Sequence, residues 1–335
     1  MAILPRRVLS LAWKFYGGKR GFCAGTALEL ASVRYGDPSK DRKRPPLVIC
    51  HGLFGQKQNW HSVSKAMQRR LGCTIYCVDL RNHGESPWSE SMTYDDLSLD
   101  VVAFLEDLSK ETGFSQFRLL GHSMGGRVAM RLAVEPSWQR LIDRLIIEDV
   151  SPKAYEMEFA AHVTFRKYIH AMAAMDLSKS RKEILKELED IVPDVAVRQF
   201  LLTNLTPTDV AGVSRWKCNL QAIDNSLEGL LRFTVPDGSF KGPTLFSYGM
   251  KSEYVKEKDQ EYIRSIFPDV RFEGIPNAGH WVHAEQPQAF MDSISVFYSF
   301  LRLFCNLSFV CTVCNSMTNE VAFESVPEKH IQASI

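Results

Sequence analysis

The sequence predicts an α/β fold: a mostly parallel sheet flanked by helices, with a helical lid inserted before the last two strands. Three observations carry this. Short, largely apolar runs (Leu47-Val48-Ile49-Cys50, Thr74-Ile75-Tyr76-Cys77-Val78, Phe117-Arg118-Leu119-Leu120, Leu145-Ile146-Ile147) alternate with helical stretches, as strands covered on both faces do. From Ser151 to about Lys241 no strand signal is found, and amphipathic helical segments take over. After Gly242-Pro243 the sheet resumes with Thr244-Leu245-Phe246-Ser247-Tyr248.

The elements follow in order. Residues 27–35 alternate loosely and read as an opening strand, ended by the turn Gly36-Asp37-Pro38-Ser39. The run Leu47–Cys50 leads directly into His51-Gly52-Leu53-Phe54-Gly55, and residues 59–71 have helical character. The next strand, 74–78, ends in Asp79-Leu80-Arg81-Asn82-His83-Gly84-Glu85-Ser86. Thr93-Tyr94-Asp95-Asp96 is a capping box that opens a helix to about Lys110, with Leu97, Val101, Phe104, Leu105 and Leu108 on one face. The strand 117–120 meets a helix through Gly121-His122-Ser123-Met124-Gly125, and a further strand runs into Glu148-Asp149. Lid helices are expected at 156–175, 179–191, 194–205 and 213–232, broken at Asp176, Pro193 and Pro207. A helix at 258–267, a strand at 270–275 and a last helix from near Pro287 complete the sheet domain.

Composition bounds the function. A 45% hydrophobic and 24% charged share describes a globular chain and excludes a disordered or fibrous one; a net charge of +1 gives no reason to expect nucleic acid. Residues 1–28 hold Arg6, Arg7, Lys14, Lys19 and Arg20 and no acid, so the remaining 35 basic and 39 acidic residues give a net of −4. Such a segment resembles a mitochondrial transit peptide; the apolar run from Val8 to Trp13 is too short for a secretory signal. A basic N-terminus without targeting function is the alternative. The expected division is therefore 1–28 transit peptide, 29–302 main domain with its lid at about 151–241, and 303–335 an atypical tail. The apolar stretch 296–314 is interrupted by Arg302 and Asn306, and its first half serves better as a packing helix than as a membrane anchor. The eight cysteines form no disulfide framework, and Cys311-Thr-Val-Cys314 stands alone without a second pair. With no nucleotide-binding glycine loop and no metal-ligand spacing, neither cofactor nor metal is expected.

The chemistry centres on Ser123. Glycines two before and two after a serine, between a strand and a helix, make a turn so sharp that side chains there would collide. The hydroxyl is pushed outward at a helix N-terminus, whose free N–H groups favour negative charge. Serine needs a base, and in enzymes with this turn the order is nucleophile, acid, histidine, the last in the loop after the final strand. His280, in Asn277-Ala278-Gly279-His280, holds that place; His283 is the competitor. Two amides should hold an oxyanion: Met124, and Leu53 with Phe54 as alternative. The usual acid position after the strand 244–248 carries Ser252, one before Glu253. Asp149, at the end of the strand after the turn, is favoured over Glu253, with Asp224 third. His51 is expected to shape the oxyanion loop, and His162, His170 and His330 to be surface or lid groups.

Five motifs together, spanning about 45 to 300, carry a resemblance: His51–Gly55, Asp79–Ser86, Gly121–Gly126, Glu148-Asp149-Val150-Ser151-Pro152 and Asn277–Ala284. On them the chain resembles the α/β-hydrolase family, and within it the domain-containing protein 11 group with its bacterial esterase relatives. The resemblance implies a mitochondrial, matrix-located serine esterase or lipase that acts on lipid acyl esters such as diacylglycerol, with the 2-oxoglutarate dehydrogenase complex as a partner. It carries the nucleophile onto Ser123 and the base onto His280, and the bacterial relatives support Asp149 as acid. The aspartate assigned in the insert of animal relatives is replaced here by Gln221. Acyl thioesterase or acyltransferase chemistry, and a partner-binding module on a hydrolase scaffold, are the other readings.

Overall fold

The chain enters the sheet at β1 (Ser32–Tyr35) and continues through β2 (Leu47–Cys50), α1 (His61–Leu71), β3 (Ile75–Val78) and α2 (Tyr94–Thr112). There follow β4 (Phe117–His122), α3 (Met124–Val134) and β5 (Ile142–Glu148). The lid holds α4 (Glu158–Ala174), α5 (Arg181–Glu187), α6 (Val195–Leu202), β6 (Leu205–Pro207), β7 (Ser214–Trp216) and α7 (Leu220–Arg232). Then β8 (Thr244–Gly249), α8 (Gln260–Ile266), β9 (Val270–Ile275) and α9 (Val282–Glu285) lead to a helix opening at 287. This computed structural model describes residues 26–298, apart from 42 and 155–157. One compact unit ends at Ser293; of a second, beginning at Ile294, residues 294–298 are described, as helix. Apart from 26–28, the basic segment 1–28 lies outside the described residues, as do the tail 303–335, Cys311, Cys314 and His330.

The seven-stranded sheet runs in the order β1-β3-β2-β4-β5-β8-β9, parallel throughout except that β1 is antiparallel to β3. Every residue of β2, β3 and β4 is buried, which explains why β2 and β3 are apolar throughout and β4 departs from that only at Arg118, Gly121 and His122: helices cover both faces, so there is no solvent side to alternate with. Registers align the strand ends. Cys50 pairs with Gly121, Gly121 with Ile147, and Glu148 with Ser247, so the loops leaving β2, β4, β5 and β8 emerge side by side. That is where an open parallel sheet accommodates ligands.

The capping box is formed: Thr93 Oγ1 accepts from the Asp96 amide at 3.1 Å, and Asp96 Oδ2 accepts from the Thr93 amide at 3.0 Å. Cys50, Cys73 and Cys77 are fully buried, serving as small hydrophobes. Several boundaries differ from expectation. The opening strand is confined to β1, and the helix expected at 59–71 begins with a 3-10 turn at Lys57–Trp60. Strands occur in the lid after all: β6 and β7 form a two-stranded antiparallel hairpin where helix was expected at either end. Each is three residues long, too short for periodicity to register, and Pro207 sits at the edge where a missing N–H is tolerated.

The lid is fastened to the loops beneath it. Helix α7 buries Ala222, Ile223, Leu227, Leu230 and Leu231, and each of the four larger side chains is worth roughly 1.5–3 kcal/mol. Arg127 of α3, almost wholly buried, donates to the carbonyls of Leu230 (3.0 Å) and Leu231 (3.2 Å) and of Lys153 (2.6 Å). Asn204 Nδ2 donates to the Phe54 carbonyl at 2.7 Å and Gln56 Nε2 to the Thr203 carbonyl at 2.7 Å, joining the lid to the loop after β2.

Candidate active site

Among the described residues five non-glycine residues have positive φ: Phe54 (59°), Asn82 (64°), Ser123 (53°), Asp149 (49°) and Asn277 (62°). Each stands in the loop leaving the carboxyl end of one strand, β2, β3, β4, β5 and β9 respectively. Backbone strain costing of order 1–3 kcal/mol per residue is thus gathered at one end of the sheet.

Ser123 has φ 53° and ψ −117° and precedes the first turn of α3. The turn requires its glycines: a Cβ on Gly121 would fall inside the Gly125 carbonyl, and one on Gly125 inside the Cys50 carbonyl. The Met124 amide, first in the helix, has no carbonyl a turn earlier within it. Across the gap, a Cβ on Gly52 would lie 3.1 Å from Ser123 Cβ, so the loop after β2 abuts the serine. Leu53, Ser123 and Met124 line one pocket. The alternative amide is committed elsewhere: Phe54 N–H donates to His83 Nε2 at 3.1 Å, whereas among the described residues the Leu53 amide is not so engaged.

Two buried histidines shape that loop. His83 Nδ1 donates to the Arg81 carbonyl at 2.9 Å, leaving Nε2 to accept from Phe54. His51 Nδ1 donates to the Gly52 carbonyl at 2.8 Å, and its Nε2 accepts from the Leu80 amide at 3.0 Å. Each arrangement needs a neutral ring. Burial first, and then the neighbouring His51, push the His83 pKa down from 6.5 to about 3; burial also lowers that of His51. The remainder of the Asp79–Ser86 stretch belongs to an ion network that is buried except at Glu85. Lys57 bridges Asp79 and Glu85, and Asp79 also accepts the amides of Lys57 (2.6 Å) and Glu85 (2.9 Å). Arg81 pairs with both carboxylate oxygens of Asp100, at 2.6 and 2.7 Å. The part played by His51 was expected from sequence, but that of His83 and of the ion network was not; the signal available was the density of charged and hydrogen-bonding residues directly after an apolar strand.

His280 Nδ1 lies 2.6 Å from Asp149 Oδ2. Asp149 is fully buried, and the His280 side chain is 21% exposed. The same Asp149 oxygen accepts the Ser252 hydroxyl at 2.5 Å, while Oδ1 accepts the Gly249 amide at 3.2 Å. Tyr254 packs against the imidazole with ring centroids 4.2 Å apart. Ser123 and His280 stand in the walls of adjoining cavities that share Phe165 and Tyr254.

The other candidates lie elsewhere. Glu253 is exposed and pairs with Lys256 at 2.8 Å, which lowers its carboxyl pKa. Asp224 belongs to the lid, bonded to Arg166 at 3.0 Å and His170 at 3.3 Å. Gln221, exposed on α7, bonds Asn225. His283 is buried: its amide and its Nδ1 both donate to Glu148 Oε1 at 2.8 Å, and its ring stacks on Trp60 at 4.0 Å. His122 Nε2 lies 3.0 Å from the His280 carbonyl; burial first, then His280 and His283, push its pKa well below 6.5. A neutral His122 donates there and fixes the loop that carries His280.

Comparison with known proteins identifies the family. Residues 47–293 match the model of the alpha/beta hydrolase family. The sn-1-specific diacylglycerol lipase ABHD11 of Danio rerio is 39% identical over 298 residues, covering 84% of this chain and 90% of that protein. Its Mus musculus counterpart is 38% identical over 259 residues, covering 77% and 82%. Among solved structures, a marine microorganism esterase superposes with a TM-score of 0.72 at 32% identity, covering 81% of this chain and all of that one. The chain belongs to the α/β-hydrolase family and is a carboxylic ester hydrolase.

Proposed function

We propose that the chain cleaves lipid acyl esters, diacylglycerol among them, by a Ser123–His280–Asp149 triad through an acyl-enzyme. The observation that carries this is the 2.6 Å contact between His280 Nδ1 and buried Asp149. A carboxylate that accepts from Nδ1–H fixes the tautomer, leaves Nε2 as the base, and stabilises the imidazolium that forms. Ser123 Oγ attacks the ester carbonyl as His280 takes its proton, and the Leu53 and Met124 amides hold the oxyanion. His280 then protonates the departing alcohol, and water releases the acyl group from Ser123 by the same steps. Support for an acyl chain comes from the pocket at Ser123, whose lining includes Leu53, Met124, Phe165, Leu230 and Leu231. Release of fatty acid from diacylglycerol by wild type but not by Ser123→Ala, with the acyl group found on Ser123 by mass spectrometry, is the expected result. Release by Ser123→Ala at the wild-type rate would refute the reading.

The same reading extends to a mitochondrial matrix address and to the 2-oxoglutarate dehydrogenase complex as partner, both carried by family resemblance. The acid-free basic segment 1–28 supports the address. A reporter fused to that segment should enter mitochondria, and the complex should co-purify with the full chain. A cytosolic reporter or absence of the complex would remove the corresponding proposal.

A further inference from the structure

The two cavities that meet at Phe165 and Tyr254 differ in character. The one reaching Ser123 is mostly apolar. The other, of about 590 Å³, has His280 in its wall with Lys153, Lys251, Lys256 and Lys258 against Glu253 and Asp259. The two acids are already engaged: Glu253 pairs with Lys256 at 2.8 Å, and Asp259 Oδ2 accepts the Lys256 amide at 3.2 Å. Lys153 is held with its ammonium 4.2 Å from the centroid of the Tyr262 ring, and Lys251 has its amide fixed on the Ala278 carbonyl at 2.9 Å. Among the described residues that line this cavity, four lysines therefore stand against two carboxylates, and Lys153 and Lys251 are the two on which the positive excess rests.

Position relative to His280 says which part of a substrate meets those lysines. In acyl transfer the histidine that deprotonates the serine also protonates the leaving group, which departs on the histidine's side. The apolar cavity is then the acyl side and the lysine-lined cavity the leaving-group side. We propose, resting on the serine-hydrolase reading above, that this site also takes acyl esters or thioesters whose leaving part bears a phosphate, held by Lys153 and Lys251. Ser123 Oγ bonds the acyl carbon, and the carbon–oxygen or carbon–sulfur bond breaks with its electron pair on the leaving atom. His280 supplies that atom's proton, and water completes the hydrolysis. A diacylglycerol has no charge to present to this wall, so the lysines discriminate between substrates rather than drive the chemistry.

The test compares matched pairs on the full chain: 1-butyrylglycerol with its 3-phosphate, and S-butyrylpantetheine with its 4′-phosphate. The expected result is a kcat/KM about tenfold higher for the phosphorylated member of one pair, and that pair identifies phosphoglycerol or phosphopantetheine as the source of the phosphate. The ratio should approach one in Lys153→Gln/Lys251→Gln and shrink as salt rises to about 0.2 M. Fluorophosphonate labelling of Ser123 in that variant checks that it is folded. Ratios near one in both pairs, with the neutral esters turned over and Ser123 labelled, overturn this inference and leave the hydrolase reading standing. A high ratio that survives the double substitution overturns the assignment of the lysines. No turnover of any ester together with no labelling overturns both readings.

Discussion

The Asp149 oxygen that faces His280 Nδ1 at 2.6 Å also accepts the Ser252 hydroxyl at 2.5 Å. Ser252 occupies the place after β8 where the acid of such enzymes is usually found, so the two alternative acid positions touch. With the carboxylate at the end of β5, the usual acid position holds a hydroxyl that orients it. Asp149→Asn should lower kcat by about 10³–10⁴, because the amide no longer fixes the Nδ1–H tautomer. Ser252→Ala loses one hydrogen bond to a charged group, worth roughly 1.5–3 kcal/mol, and should cost activity by about tenfold or somewhat more. Glu253→Gln should change kcat by less than about twofold. Steady-state kinetics of the three variants checks the ordering, and a larger loss at Glu253 than at Asp149 would reverse it.

Glu148 and His283 are the neighbouring carboxylate–histidine pair, and their burial gives them a different part. Removing the imidazole leaves a fully buried carboxylate with one oxygen that already lacks a hydrogen-bond partner. His283→Ala should therefore cost about 3–5 kcal/mol in urea unfolding. The folded fraction should still be labelled at Ser123. Loss of labelling without loss of stability would give His283 the catalytic part instead.

The neutral histidines make stability depend on pH. The folded pKa of His83, about 3, lies below its ordinary 6.5, so the unfolded chain binds the extra proton. Its contribution is fully present above about pH 6.5 and is lost as pH falls toward about 3. His51 and His122, also shifted downward, act in the same direction. Tm should fall steadily from pH 6.5 to about 5, and the slope should be shallower in His83→Gln. A flat profile over that window would contradict the buried neutral rings.

Gly125 is required by the turn at Ser123, since a Cβ would fall inside the backbone carbonyl of Cys50 in the adjacent strand. No rotamer relieves a clash with backbone. Gly125→Ala should destabilise by about 3 kcal/mol or more and abolish ester hydrolysis. Wild-type melting would show that the turn has room the structure denies it.

Much of this architecture could be read from the chain because its signals are local. A run such as Leu47–Cys50 can hardly be other than a doubly covered strand, and Gly121 and Gly125 declare a tight turn by their spacing. Placing His280 and Asp149 in loops leaving the sheet needed only element order, and the structure finds them in contact across 131 positions. The remainder depends on distant pairs. The hydroxyl of Ser252 on Asp149, the grip of Glu148 on His283 and the engagement of the Phe54 amide by His83 join residues 103, 135 and 29 apart. Periodicity carries no information about such contacts. The β6–β7 hairpin was missed for a different reason, since three residues are fewer than any repeat needs.

The central claim is that Ser123 is an activated nucleophile, and covalent labelling with a fluorophosphonate probe tests it most directly. The account predicts one adduct on wild type, mapped to Ser123 by peptide mass, none on Ser123→Ala, and slow labelling of His280→Ala. A folded wild type that takes no label, or takes it equally in Ser123→Ala, would contradict it.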